Sequence, residues 1–122
     1  MNALEQQIAG IAALLRQTWP GEAESVAAPA LPGAAAALAA HALRRLHPDA
    51  WVVAVTAGPN ELEPLYADLL TLAPPGMPEP PLLLPPPETG GKPDIELEGA
   101  RLAVVHRMHG GACDAPPALL VT

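Results

Sequence analysis

Two histidines and the single cysteine of the sequence are the residues best suited to metal chemistry. His106 and His109 lie three positions apart on a predicted helix, and Cys113 follows shortly after it. Side chains at this spacing share one face of a helix, and zinc accepts imidazole and thiolate ligands. The spacing matches no zinc-binding motif, and two glycines, Gly110 and Gly111, separate the helix from the cysteine. We therefore favour helix-end histidines that interact with the helix dipole, with a metal site as the weaker alternative.

A second candidate is a phosphate-binding loop within residues 30–37, ahead of the second predicted helix. Such loops need two glycines, a lysine and a hydroxyl residue, because backbone amides and the lysine surround the phosphates while the hydroxyl holds magnesium. The stretch keeps Gly33, but alanines stand at all four motif positions: Ala30, Ala35, Ala36 and Ala37. We interpret it as a degenerate phosphate loop that does not hydrolyse nucleotides.

Other catalytic arrangements are also missing from the sequence. Ser25 is the only serine, and it lies outside any nucleophile-elbow motif. Glu96 and Glu98 are two positions apart on a predicted helix, so their carboxylates do not face each other. We expect no catalytic residue, no cofactor and no metal, and predict that this chain is not an enzyme.

Composition narrows the class of protein further. A chain of 122 residues with 50% hydrophobic residues can bury one core, and its lone cysteine excludes a disulfide scaffold. No apolar run is long enough for a membrane span, and the first ten residues do not form a secretory signal. The formal net charge of −7 repels phosphate backbones, so direct nucleic-acid binding is not expected. These features predict a cytoplasmic protein.

Hydrophobic periodicity predicts four helices and three strands as the framework for these residues. Helices are expected near residues 2–18, 32–47, 60–73 and 94–110, and strands at 51–55, 82–84 and 118–121. On the second helix the polar side chains are expected to share the solvent face: His41, Arg44, Arg45 and His47. Asn60 and Asp94 are the predicted N-caps of the last two helices. Each strand is a continuous apolar run, which is typical of parallel strands covered on both faces. The predicted fold is therefore α/β, a three-layer parallel sheet flanked by helices.

Several sequence blocks, taken in order, resemble the N-terminal UvrB-like module of bacterial transcription-repair coupling factors. This family of nucleotide-excision-repair proteins carries a decayed phosphate loop, which residues 31–38 resemble. The later blocks cover 51–56, 61–69, 82–89, 94–95, 100–104 and 118–122, and the Glu88-Thr89 step is among the more specific features. Pro87 departs from the family, which has an aromatic residue there. The resemblance implies a degenerate P-loop, RecA-like partial domain with a motif loop that involves Glu88, Thr89, Asp94 and Arg101.

The resemblance also implies how the chain is organised and what it does. Residues 1–20 would form an N-terminal helix, and residues 21–122 a UvrB-like α/β domain that is a fragment of a larger protein. The parent protein would be an ATP-dependent DNA translocase that displaces RNA polymerase and recruits UvrA. This fragment would be a non-catalytic scaffold that packs against other domains of the parent, and would reach UvrA and RNA polymerase only through it.

Two other functions remain open at this stage. The chain could be a divergent nucleotide-binding domain that holds an anion near Gly33, or a stand-alone α/β regulatory domain. We also expect self-association at high concentration, because the last strand would leave an exposed sheet edge.

Overall fold

A computed structural model describes residues 2–18, 34–75, 80–86, 91, 94–110 and 120–121. Four helices and three strands alternate along this part of the chain in nearly the predicted order. They are α1 (Ala3–Thr18), α2 (Ala34–Leu46), β1 (Val53–Ala54), α3 (Pro59–Thr71), β2 (Leu82–Leu83), α4 (Ile95–Gly110) and β3 (Leu120–Val121).

Helix α2 is the centre of the core because it is buried on two faces. One face packs against α1, where Ile8, Ala12 and Ala42 form a buried cluster. The other face packs against α3, where Ala37 and Ala40 meet the buried side chains of α3. Alanines let the three helix backbones approach closely, which suits a chain without phenylalanine.

The helix starts differ in how they are capped. Asn2 and Glu5 form a reciprocal capping box at α1: Asn2 Oδ1 accepts from the Glu5 amide at 2.8 Å, and the Asn2 amide donates to Glu5 Oε2 at 2.9 Å. The predicted cap at Asp94 is confirmed. The predicted cap at Asn60 is wrong, because α3 begins at Pro59 with Gly58 as its N-cap and no side-chain hydrogen bond. Proline is preorganised for the first helical position, so the N-cap lies two residues earlier in the sequence than predicted.

The predicted three-layer α/β fold is wrong, because the described residues are mostly helical. The four helices are 13 to 16 residues long, whereas each strand has only two residues. Val53 and Val55 are exposed, so the first apolar run is not covered on both faces. Prolines at positions 81 and 85 bracket β2 and remove the amide donors that a longer strand would need. The RecA-like domain implied by the resemblance therefore does not describe this structure.

The short strands pair in parallel in the order β1-β3-β2. Leu120 is in register with both Val53 and Leu82, and Val121 with both Ala54 and Leu83. The last strand is therefore the central one, and the edge that was expected to promote self-association is already paired.

Candidate functional site

The stretch interpreted as a degenerate phosphate loop lies only in part within the residues that the structure describes. Ala30 and Gly33 lie outside the described residues. Ala35, Ala36 and Ala37 lie in the first two turns of α2, and Ala37 is fully buried in the cluster with Leu62 and Leu69. The described part of this stretch is therefore the start of a helix that packs into the core through the Ala37 methyl group.

The two histidines of the suggested metal site lie exposed on α4, and Cys113 lies outside the described residues. Among residues 2–18, 34–75, 80–86, 91, 94–110 and 120–121, no three side chains of the metal-ligating types come together. The structure thus gives His106 and His109 no third described ligand.

Asp94 and Arg101, two of the four residues assigned to the family motif loop, have structural contacts. Asp94 Oδ1 accepts hydrogen bonds from the amides of Glu96 at 3.0 Å and Leu97 at 3.2 Å, and so caps α4. The Arg101 guanidinium donates to the carbonyl oxygen of Pro85. Asp94 therefore caps the start of α4. Arg101 attaches this helix to the β2 segment, by which we mean residues 81–85 around β2. Glu88 and Thr89 lie outside the described residues.

A second side chain ties the β2 segment to the helical core. The Tyr66 hydroxyl on α3 donates to the carbonyl oxygen of Pro81 at 3.4 Å. Two proline carbonyls thus receive donors from different helices, one at each end of β2. The β2 segment therefore connects α3 and α4 through one hydrogen bond from each helix.

A buried polar pair on α2 is the feature that sequence reasoning missed. His41 is 2% exposed and Arg44 is 9% exposed, so the prediction that both lie on a solvent face is wrong. His41 Nε2 lies 2.9 Å from the carbonyl oxygen of Leu69. Because a carbonyl only accepts, Nε2 carries the hydrogen and donates it.

The position of Leu69 explains this hydrogen bond. Leu69 lies in the last turn of α3, where the final carbonyls of a helix have no amide partner within it. The amide of Ala73 would bond to Leu69 in a longer helix, but it bonds to Leu70 instead. His41 therefore caps the C-terminal end of α3 from the neighbouring helix.

The surroundings of His41 favour its neutral form. Burial lowers the pKa of His41 below the ordinary 6.5 and the positive charge of Arg44 lowers it further, while the bond to Leu69 acts in the opposite direction. Its Nδ1 atom has no hydrogen-bond partner in the described part of the chain. The hydrogen bond from buried His41 to Leu69 gives this histidine a structural role.

The spacing of small residues on α2 is a feature of the sequence that indicates the burial of His41 and Arg44. Ala37, Ala40, His41 and Arg44 follow one another at helical spacing, so the two polar residues continue a face that begins with alanines. That face is the one that packs on α3.

Helix α4 carries an exposed stripe that we call the α4 outer face. Its members follow at spacings of three, four, three and four residues, and all are exposed: Ile95, Glu98, Leu102, Val105 and His109. Ile95 is 85% exposed, Leu102 65% and Val105 50%. The opposite side of α4 carries Val104, its only buried residue among those described. This alternation of three and four is the spacing by which one helix packs along another.

Comparison of the chain with protein-family models, with curated proteins and with solved structures found no match. Among the described helices, none combines the length and the apolar character that crossing a membrane would require.

Proposed function

We propose that this chain is a non-catalytic protein-interaction module that binds other proteins through the α4 outer face. The observation that carries the proposal is the exposure of Ile95, Leu102 and Val105 on one side of a single helix. Scattered apolar residues are normal on a protein surface, but a stripe at helix-packing spacing is typical of a docking face.

The roles of the polar residues support the non-catalytic part of the proposal. His41 caps α3, Asp94 caps α4 and Arg101 attaches α4 to Pro85. Each of these three polar side chains thus makes a hydrogen bond that stabilises the fold. The alanines at the phosphate-loop positions lack the charged and hydroxyl groups that nucleotide hydrolysis needs.

We further propose that the parent of this module is a bacterial cytoplasmic DNA-repair protein similar to the transcription-repair coupling factors. The support for this is the order of the sequence blocks from residue 31 to residue 122 and nothing in the fold. In that case the module would also pack against other domains of the same translocase. UvrA and RNA polymerase would then associate with the parent and not with this module.

A photo-crosslinking experiment in cells tests the interaction. A photoreactive amino acid replaces Leu102 on the α4 outer face or, as the control, Leu14 on α1, which is similarly exposed at 62%. We expect crosslinked protein, identified by mass spectrometry, at position 102 and not at position 14. The absence of any crosslink at position 102 would contradict the proposal.

Calorimetric titration of the purified chain with ATP and magnesium tests the non-catalytic part. We expect no binding at micromolar nucleotide. Binding in that range would favour the divergent nucleotide-binding domain and overturn the proposal.

A further inference from the structure

We propose that the α4 outer face binds a second copy of this chain, with the two α4 helices antiparallel across a two-fold axis. The inference rests on the proposed function, since it names the partner of the same surface. It is carried by the self-complementary order of four residues along the stripe, Glu98, Leu102, Val105 and His109, whose spacings of four, three and four read the same in both directions.

The spacing of the stripe fixes how two copies fit. In a two-fold antiparallel pair, if one residue contacts another, the second contacts the first in return. An axis between positions 103 and 104 sets Leu102 of each copy against Val105 of the other. The same axis sets Glu98 of each copy against His109 of the other. Leucine and valine therefore form the centre, and one contact between Glu98 and His109 lies at each end.

Charge selects the antiparallel arrangement. Glu98 lies near the N-terminal end of α4 and His109 near its C-terminal end. A parallel pair in register would place carboxylate against carboxylate, which is unfavourable, whereas an antiparallel pair places each carboxylate against an imidazole. A histidine donates a hydrogen bond to a carboxylate in its neutral form, and protonation adds charge attraction.

The packing of α4 within the chain leaves this face accessible. On the inner side, Val104 is buried, and the Arg101 guanidinium donates to the carbonyl oxygen of Pro85 and so attaches the helix to the β2 segment. No extensive packing joins α4 to another described helix or strand. A second copy can therefore approach the outer side without displacing a described element.

The size of the surface predicts a weak dimer. The two apolar residues that each copy contributes to the centre, Leu102 and Val105, cover less than the area of a standard stable interface. The net charge of −7 on each chain adds long-range repulsion, which salt at 0.15 M screens in large part. We expect a dissociation constant of roughly 10 μM to 1 mM.

Sedimentation equilibrium of the purified chain up to 1 mM tests the association. We expect a monomer–dimer equilibrium that Leu102→Asp weakens by about tenfold or more, because the substitution buries a carboxylate at the centre of the pair. Leu14→Asp is the matched control on α1 and should leave the equilibrium unchanged. A monomer at 1 mM, or equal effects of the two substitutions, would overturn the proposal.

A charge exchange tests the arrangement of the two copies. Glu98→Lys removes the carboxylate that accepts from His109, and His109→Glu sets carboxylate against carboxylate. Each should weaken the dimer by roughly three- to tenfold. The double variant should restore association, because the introduced lysine and glutamate then face each other across the axis. The two positions are eleven residues apart, about 16 Å along one helix, so they cannot pair within one copy.

Effects on helix stability cannot imitate this rescue. A lysine near the N-terminal end and a glutamate near the C-terminal end both oppose the helix dipole, so the double variant has the least stable α4. A double variant that associates no better than the weaker single variant would overturn the antiparallel arrangement. A monomeric chain that still crosslinks to a different protein from position 102 would refute self-association and leave the proposed function intact.

Discussion

Helices α1 and α4 are both 16 residues long, yet the chain uses them in different ways. Helix α1 packs along α2 and buries Ile8 and Ala12 in a continuous cluster. Helix α4 buries only Val104 among its described residues and is held by a side-chain hydrogen bond to a loop. Both helices carry apolar residues at helical spacing. Apolar spacing alone therefore does not tell whether a helix builds the core or binds a partner.

The difference lies in the number of apolar stripes on each helix. Helix α1 has one stripe, and α2 covers it. Helix α4 has two, one that includes Leu97 and Val104 and a second on the α4 outer face. A helix with two such stripes needs two partners, and the described chain supplies one.

Truncation of leucine should give the largest difference in the free energy of unfolding between the helical core and α4. Leu69→Ala removes a fully buried side chain between α2 and α3 and should lower the free energy of unfolding by about 2–5 kcal/mol. Leu102→Ala removes a largely exposed leucine from α4 and should leave that free energy nearly unchanged below the concentration of dimerisation. Urea denaturation at low micromolar protein measures both. Equal losses for the two variants would mean that α4 belongs to the same core as α2 and α3.

Replacement of the buried histidine should have the next largest effect. His41→Leu leaves the Leu69 carbonyl without its donor and should lower the free energy of unfolding by roughly 1–3 kcal/mol at pH 8. His47→Gln, at an exposed histidine at the end of the same helix region, is the control and should change little. A His41→Leu protein as stable as the wild type would contradict the capping role.

The same variant should change the pH dependence of stability. The pKa of His41 is lowered in the folded state, so the unfolded chain binds the proton more readily. The contribution of neutral His41 is complete above the unfolded pKa near 6.5 and is lost as the pH falls below it, by at most about 1.4 kcal/mol per pH unit. Thermal melts between pH 8 and pH 5 should show this loss in the wild type and in His47→Gln, and a flatter profile in His41→Leu.

Removal of the helix caps should give the smallest change in stability, but it should distinguish α1 from α4 most specifically. Asn2→Ala and Asp94→Ala each remove a side-chain cap, which stabilises a helix by about 1 kcal/mol. The first should lower global stability, because α1 is part of the core. The second should increase hydrogen exchange within α4 alone, because that helix is weakly coupled to the rest. Faster exchange in α1 to α3 on Asp94→Ala would contradict this separation.

The sequence predicted the local structure better than the fold. Each helix was expected within about two residues of its observed start or end, because apolar spacing, prolines and the Asp94 cap are local signals. The three-layer sheet was wrong because strand length depends on neighbours and on prolines that remove ladder donors, as around β2. His41 and Arg44 were misplaced because a histidine and an arginine can be buried only when a partner from elsewhere accepts them. The Leu69 carbonyl is such a partner, and it is 28 positions away in sequence.

The roles of the candidate site residues were also predictable only where the contacts are local in sequence. Asp94 acts on residues two and three positions away, so its role followed from the sequence. The contact of Arg101 with Pro85 joins two segments that only the tertiary structure brings together. The α4 outer face was missed because the inner stripe alone accounted for the helical pattern.

The central position of β3 has a consequence for how the chain is made. Residues 53–54 and 82–83 leave the ribosome well before residues 120–121, and they have no strand neighbour in this ladder until those residues arrive. Helices α1 to α3 can pack during translation, whereas the strand ladder closes only after residues 120–121 have emerged. Closure of this ladder therefore follows the synthesis of all four helices, and a nascent chain halted before residue 120 would hold its helices without it.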